Sequence, residues 1–299
     1  MPHTLLLDES DIAATARRFG GALLALGLKK GDCVAAMASG PDGEGVAPFV
    51  AARDAAAALG LYFAPVDADL ALPEVAYLVA RSRTKVLLVG GGSATHVLST
   101  SRWPRVMTYG ELDRLAYKAE LGPAKPRALV GATVLLTSGT TGPAQLCLYT
   151  AEQESRRAAE LLGTYGINAA DVHLVSSSLA HSVPDLFVRA CRAVGASTVV
   201  LPQVNAEDFL AAVARHRATL FVLGPKQVER LLALPDTVRA RADWSSVRAV
   251  IVAGAPFGRD PRRRFREWIG SGKLRELDGA AEGTTSYPAE VERAHAAVG

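Results

Sequence analysis

The chain has 299 residues, a formal net charge of +3 and 49% hydrophobic residues. This balance is typical of one large or two modest globular domains and excludes an intrinsically disordered chain. A net charge this small gives no argument for nucleic acid as a partner. No uninterrupted apolar run reaches the length of a membrane span, so we expect no membrane insertion.

Cysteine content and the N-terminal sequence indicate the compartment. Cys33, Cys147 and Cys191 are far apart and form no C-x-x-C pair, which argues against zinc and redox motifs. The N-terminus has no basic stretch followed by an apolar core, so we expect no signal peptide. We therefore expect reduced thiols in a cytoplasmic protein.

Apolar periodicity predicts alternating helices and strands along the chain. Up to residue 117, helices are predicted at 11–26, 46–59 and 73–83, and strands at 33–37, 61–66 and 85–89. After a Pro- and Lys-containing linker at 118–128, strands are predicted at 132–136, 171–176, 198–201, 219–223 and 247–252, with helices at 184–194, 206–216 and 225–232. The Arg-rich stretch 259–266 is interpreted as the solvated face of an amphipathic helix rather than a polyanion site. The sequence thus predicts an α/β fold with two parallel-sheet subdomains, 1–117 and 129–299, and helices on both faces of each sheet.

A hydroxyl- and glycine-rich loop directly follows the apolar strand 132–136. Its residues are Thr137, Ser138, Gly139, Thr140, Thr141 and Gly142. Hydroxyl donors beside unobstructed backbone N–H groups suit the phosphates of a nucleotide. The G-x-x-x-x-G-K-[ST] spacing of ATPase and GTPase P-loops is absent.

Several segments, in order, resemble one family across nearly the whole chain. The loop at 137–142 is similar to the first six positions of T-S-G-T-T-G-x-P-K-G. Further similar segments are LGLKKGDCVA (26–35), GLYFAPVDADL (60–70), LPEVAYLVARSRTKVLLV (72–89), WSSVRAVIVAGAPF (244–257) and LDGAAEGTTS (277–286). The chain thereby resembles the N-terminal part of the adenylate-forming superfamily, which includes acyl- and aryl-CoA synthetases, nonribosomal peptide synthetase adenylation domains and luciferases.

The resemblance implies an ATP site with Mg²⁺ and a pocket for a carboxylic acid. The 137–142 loop would hold the β- and γ-phosphates of ATP. Gly254, Ala255 and Pro256 would line adenine on one face, and Asp278, Gly279 and Ala280 would lie along the other. Glu282 would coordinate Mg²⁺. His181 matches an aromatic or histidine position beside the acyl pocket. His181 and Glu282 are therefore the candidate catalytic residues.

The sequence also departs from the family pattern. Pro143-Ala144-Gln145 stands where the family has x-Pro-Lys, Asp278 replaces an aromatic residue that would stack on adenine, and Ala281 replaces a threonine. Only 17 residues follow Glu282. The resemblance implies that the family's β-rich subdomain and its mobile C-terminal domain, with a lysine used in adenylation, have no counterpart in these 299 residues.

Three functional hypotheses remain open from the sequence. In the first, the chain is a truncated adenylate-forming enzyme that makes an acyl-adenylate weakly or with a companion chain. In the second, it is a pseudoenzyme scaffold that binds nucleotide, acyl-CoA or protein. In the third, the pocket serves other acyl or aryl chemistry, with His181 and Glu282 as acid/base groups. A homodimer or a companion chain is expected to cover the missing C-terminal region, and the identity of the acid cannot be read from the sequence.

Overall fold

The computed structural model describes residues 4–37, 45–90, 104–118, 132–136, 146–201, 205–277 and 285–286. Its strands are β1 Leu5–Leu6, β2 Cys33–Met37, β3 Tyr62–Val66, β4 Thr84–Val89, β5 Arg105–Thr108, β6 Ala132–Leu136, β7 Leu146–Thr150, β8 Val172–Val175, β9 Ser197–Val200, β10 Leu220–Leu223, β11 Ala249–Ala253, β12 Leu274–Leu277 and β13 Thr285–Ser286. Its helices are α1 Glu9–Ala25, α2 Val46–Leu59, α3 Leu72–Arg81, α4 Tyr109–Lys118, α5 Ala151–Tyr165, α6 Ser182–Ala193, α7 Ala206–His216, α8 Pro225–Leu232, α9 Asp236–Arg239 and α10 Arg259–Ile269.

The chain folds into two units, each built around one sheet. The six-stranded unit comprises 1–7, 157–178 and 182–282, and the seven-stranded unit comprises 8–156, 179–181 and 283–299. The strand order is β1-β9-β8-β10-β11-β12 in the six-stranded sheet and β13-β7-β6-β3-β2-β4-β5 in the seven-stranded sheet. Pairing is parallel except at β1–β9, β6–β7 and β7–β13. The predicted α/β class with two mostly parallel sheets is therefore confirmed.

From residue 119 onward, the predicted linker at 118–128 lies outside the described residues. Strands β6 and β7 follow that linker, yet β6 pairs with β3 and places both in the seven-stranded sheet. This pairing joins residues that the sequence analysis assigned to two subdomains, because side chains in Ala132–Leu136 share a core with strands β2 to β4. As a domain boundary, 118–128 stays a prediction.

The core of the six-stranded unit lies on both faces of its sheet. Alternate residues of β11 point to opposite faces, with Val250 in a cluster around Phe221 and Trp244, and Ile251 in a second cluster with Phe187. Such a strand is apolar at every position, which is the pattern of a parallel strand covered by helices on both sides. In open α/β sheets of this kind, ligands bind at the carboxyl ends of the strands.

Local signals explain where the helices begin and end. Helix α1 begins at its cap Asp8, whose Oδ1 accepts from the backbone N–H groups of Ser10 and Asp11. Helix α2 ends at Gly60, where φ is +70°. None of the helices in the described part of the chain has both the length and the apolar character to cross a membrane.

Candidate functional site

The turn after β11 is the best-defined part of the predicted nucleotide site. Gly254, Ala255 and Pro256 follow the buried strand directly, and all three are exposed. Gly254 has φ +92°, and a Cβ built on it would meet no heavy atom within 4 Å. The turn thus combines a left-handed backbone with open space above it, which permits a flat ligand to approach the main chain closely.

Strand β12 ends beside this turn. In the parallel pairing of β11 with β12, Ala253 lies opposite Leu277. Arg262 on α10 contacts both the segment after β11 and strand β12. It donates to the carbonyl of Phe257 at 2.9 Å and pairs with Glu276 of β12 at 2.7 Å. The chain therefore leaves the two strands at one edge of the six-stranded sheet.

The rest of the predicted nucleotide site falls outside the described residues. These residues are Thr137, Ser138, Gly139, Thr140, Thr141 and Gly142 of the loop, and Asp278, Gly279, Ala280 and Glu282. The loop connects antiparallel neighbours, since Leu136 pairs with Leu146. No cluster of three or more potential metal-ligating side chains occurs among the residues that the structure describes.

His181 lies in the seven-stranded unit, against a residue that the sequence analysis did not identify. Its Nε2 lies 3.1 Å from Oδ2 of Asp67, at the carboxyl end of β3. The hydrogen bond that His181 donates to Asp67 raises the pKa of His181, burial opposes the shift, and the charges of Asp67 and Asp69 add to it. The one available signal for Asp67 was a carboxylate directly after a buried parallel strand.

A small cavity marks the carboxyl edge of β8 and β10 in the six-stranded unit. It has a volume of about 50 Å³ and is lined by Ser176, Asn205, Ala206, Phe209, Leu223, Gln227, Arg230 and Leu231. Gln227 joins the two strand ends, since its Oε1 accepts from the N–H of Gly224 at 2.8 Å and its Nε2 donates to the carbonyl of Ser176 at 3.2 Å. Gln227 could not be predicted from the sequence, because a helical glutamine carries no signal of such a bridge.

Comparisons with known proteins agree with this architecture. A family model described as "AMP-binding enzyme" matches residues 10–298. Indoleacetate–CoA ligase of Aromatoleum aromaticum is 30% identical over 276 residues, which cover 87% of this chain and 52% of that protein. Long-chain-fatty-acid–CoA ligase FadD13 of Mycobacterium tuberculosis is 26% identical over 262 residues, 84% of this chain and 50% of that protein. The chain thus spans about half the length of these curated relatives.

Solved structures show the same fold. The N-terminal domain of FACL13 from Mycobacterium tuberculosis superposes with a TM-score of 0.73 at 20% identity, covering 89% of this chain and 67% of that one. ATP-bound MatB from Rhodopseudomonas palustris gives 0.75 at 21% identity, covering 93% and 56%. The predicted resemblance to the N-terminal part of the adenylate-forming superfamily is confirmed. The match over residues 10–298, the two mostly parallel sheets and the exposed glycine turn after β11 together place this chain in the AMP-binding enzyme family.

Proposed function

We propose that this chain binds ATP with Mg²⁺ and activates a carboxylic acid as its acyl-adenylate. The observation that carries the proposal is the family match over residues 10–298. The exposed Gly254–Pro256 turn supports it, because its open space suits a flat base. Related proteins named as CoA ligases, and an ATP-bound structure of the same fold, point in the same direction.

The proposed reaction is a balanced substitution at phosphorus. A carboxylate oxygen of the acid attacks the α-phosphorus of ATP, the bond to the bridging oxygen of pyrophosphate breaks, and pyrophosphate leaves with its electron pair. Both anions must be neutralised and held in line. Glu282 is the candidate oxygen ligand of Mg²⁺, which would offset the phosphate charge. The loop at 137–142 is the candidate phosphate cradle, and His181 is the candidate residue beside the acid.

The test is ATP–pyrophosphate exchange by the purified chain with a panel of carboxylic acids. The panel contains aryl acetates and long-chain fatty acids, because related ligases are named for both classes. We expect exchange that requires both Mg²⁺ and an acid. Exchange at the level of a protein-free control with every acid would contradict the proposal.

Substitution of two loop hydroxyls tests the phosphate cradle. In Thr140→Val/Thr141→Val, two donors to the phosphates are lost, so calorimetry should show at least a tenfold weaker affinity for ATP, at roughly 1 kcal/mol or more for each lost hydrogen bond. Thr164→Val is the matched control, since Thr164 is exposed on α5 and should leave affinity unchanged. Unaltered ATP affinity in the double variant would remove the loop from the site.

We further propose that a companion chain supplies the lysine that the family carries in its C-terminal domain. In the resemblance, a lysine of the C-terminal domain contacts the reacting groups, so these 299 residues alone should turn over slowly. Adding the part of a related ligase that this chain does not match, as a separate polypeptide, should raise the exchange rate. No increase at saturating concentration would contradict a role for such a partner.

A second candidate is a scaffold that binds nucleotide, acyl-CoA or protein without turnover. The sequence favours it at Gln145, where the family has a lysine, and at Asp278, where the family has an aromatic residue. ATP binding by calorimetry without exchange, with or without the companion segment, would select this candidate. Exchange with any acid would exclude it.

A further inference from the structure

Asp67 is held in a fixed orientation at the end of a buried strand. It follows β3 directly, and its side chain is only 17% exposed. Its Oδ1 accepts from the backbone N–H of Asp69 at 3.1 Å, and its carbonyl accepts from the N–H of Leu70 at 3.2 Å. The turn therefore orients the carboxylate before any partner approaches.

The second oxygen of this carboxylate faces His181. Oδ2 lies 3.1 Å from Nε2, while the His181 side chain is 64% exposed. Among the described residues, Asp69 is a further acidic group that acts on His181 through space. On the helix that follows His181, Asp185 pairs with Arg189 at 2.7 Å. The imidazole thus has one nitrogen bound to a fixed carboxylate and a large exposed surface.

We propose that Asp67 is a positioning residue that binds Nε2 of His181 and leaves the Nδ1 side of the ring to bind the carboxylate of the acid. The inference rests on the proposed function, in which His181 lies beside the acid. With Nε2 donating to Asp67, protonated His181 keeps Nδ1–H as a second donor, and this donor suits an anionic oxygen. Neutral His181 with its proton on Nε2 presents only a lone pair at Nδ1, which repels a carboxylate.

The sign of the pH dependence follows from this contact. Because Asp67 raises the pKa of His181, the protonated ring and its Nδ1–H donor persist to higher pH than in an isolated histidine. The affinity for the acid should then weaken as pH rises through that pKa. Without the Asp67 charge, the same loss should occur at lower pH.

The first experiment measures the titration of His181 by NMR and needs no catalytic activity. The chain has six histidines, and the His181 resonance is the one absent from His181→Gln. We expect Asp67→Asn to lower the titration midpoint. The matched control, Asp69→Asn, should lower it less, because Asp69 acts only through space. Equal effects of the two variants, or no effect of Asp67→Asn, would overturn the proposal.

A second measurement does not depend on the folding of any variant. The His181–Asp67 pair is largely exposed on the histidine side, so salt should screen it. Raising NaCl from 0.05 to roughly 0.5 M should lower the His181 midpoint in the unsubstituted chain. A midpoint that does not move with salt would count against an ionic contact.

The third experiment separates positioning from a merely structural role. In the exchange assay, Asp67→Asn should move the alkaline rise in KM for the acid to lower pH, with a smaller effect on kcat than on KM. In a His181→Gln background the same substitution should have no effect on the pH profile. If Asp67→Asn catalyses exchange with an unshifted pH profile, the positioning role is contradicted and the proposed function is not. Complete absence of exchange, with the NMR shift present, would contradict the proposed function and leave the pair intact.

Discussion

A buried histidine sets the expected acid sensitivity of the fold. His173 lies in β8, is 1% exposed, and its Nδ1 has no hydrogen-bond partner among the described residues. Burial lowers its pKa to about 3, opposed by the charge of Asp171. In the unfolded chain, the pKa of this histidine is near its ordinary value of about 6.5. Between pH 3 and 6.5 the unfolded chain therefore binds a proton at His173 more readily than the folded chain.

The free energy of unfolding should therefore fall as pH decreases below about 6.5, by up to about 1.4 kcal/mol per pH unit from this residue alone. Urea unfolding at several pH values between 6.5 and 4.5 measures the slope. His173→Leu should reduce it, because leucine cannot take up a proton. His216→Asn is the control, since His216 is only partly buried and most of the slope should remain. An unchanged slope in His173→Leu would show that other groups carry the acid sensitivity.

One carboxylate ties together the amino-terminal edge of the six-stranded sheet. Asp171, 3% exposed, precedes β8 and accepts hydrogen bonds from Arg248 and from Thr219. Arg248, just before β11, also donates to the carbonyl of Tyr165 at the end of α5. The Asp171–Arg248 ion pair thus joins the starts of strands β8, β10 and β11 to the end of helix α5. It lies at the amino-terminal edge of the sheet, opposite the proposed site.

Removing one partner should destabilise these elements together. Arg248→Met leaves a buried carboxylate uncompensated, and we expect a loss of about 2–3 kcal/mol, below the cost for a fully buried pair because the arginine is 35% exposed. The control is Arg263→Met, whose partners Asp260 and Glu267 are more than 60% exposed, and its unfolding midpoint should stay close to that of the unsubstituted chain because solvent screens such pairs. Equal midpoints of chemical unfolding for both variants would refute a stabilising role of the Asp171 network.

The elements that sequence predicts best are those whose signal is local. Cys33–Met37 and Ala132–Leu136 were predicted at their observed bounds, because buried strands are short apolar runs bounded by turn residues. Helix α5, AEQESRRAAELLGTY, was not predicted, since it buries only Ala158, Leu161 and Tyr165 along a polar sequence. Strand β1 has only two residues and forms by pairing with β9, which lies far along the chain. No local sequence pattern encodes such a pairing.

The same limit applies to the site. Gly254 follows an apolar strand, so its turn was predictable from neighbouring residues. The contact between His181 and Asp67 joins two segments that are distant in the chain, and it depends on the tertiary structure of the seven-stranded unit. His181 was therefore predictable through the family resemblance, whereas Asp67, the carboxylate that orients it, was not.

At the scale of the whole molecule, nucleotide binding should increase the free energy of unfolding. The six-stranded unit contains the Gly254–Pro256 turn together with Trp244 and Trp268, whose ring centroids lie 5.1 Å apart. The chain has three tryptophans, so a Trp103→Phe variant leaves these two as fluorescence probes of this unit alone. Unfolding of the unit can then be followed while nucleotide is added.

Mg²⁺-ATP at about 100 times its dissociation constant should raise the free energy of unfolding read by these tryptophans by about 2.7 kcal/mol, because the folded state alone binds it. The urea slope should stay constant, since the surface exposed on unfolding is unaltered. At the same ATP concentration, the tenfold or greater loss of affinity expected for Thr140→Val/Thr141→Val should reduce the increase to about 1.4 kcal/mol or less, and ATP without Mg²⁺ should also give a smaller increase. An unchanged midpoint under saturating Mg²⁺-ATP would mean that the six-stranded unit gains nothing from nucleotide, and the AMP-binding fold would then serve a different ligand.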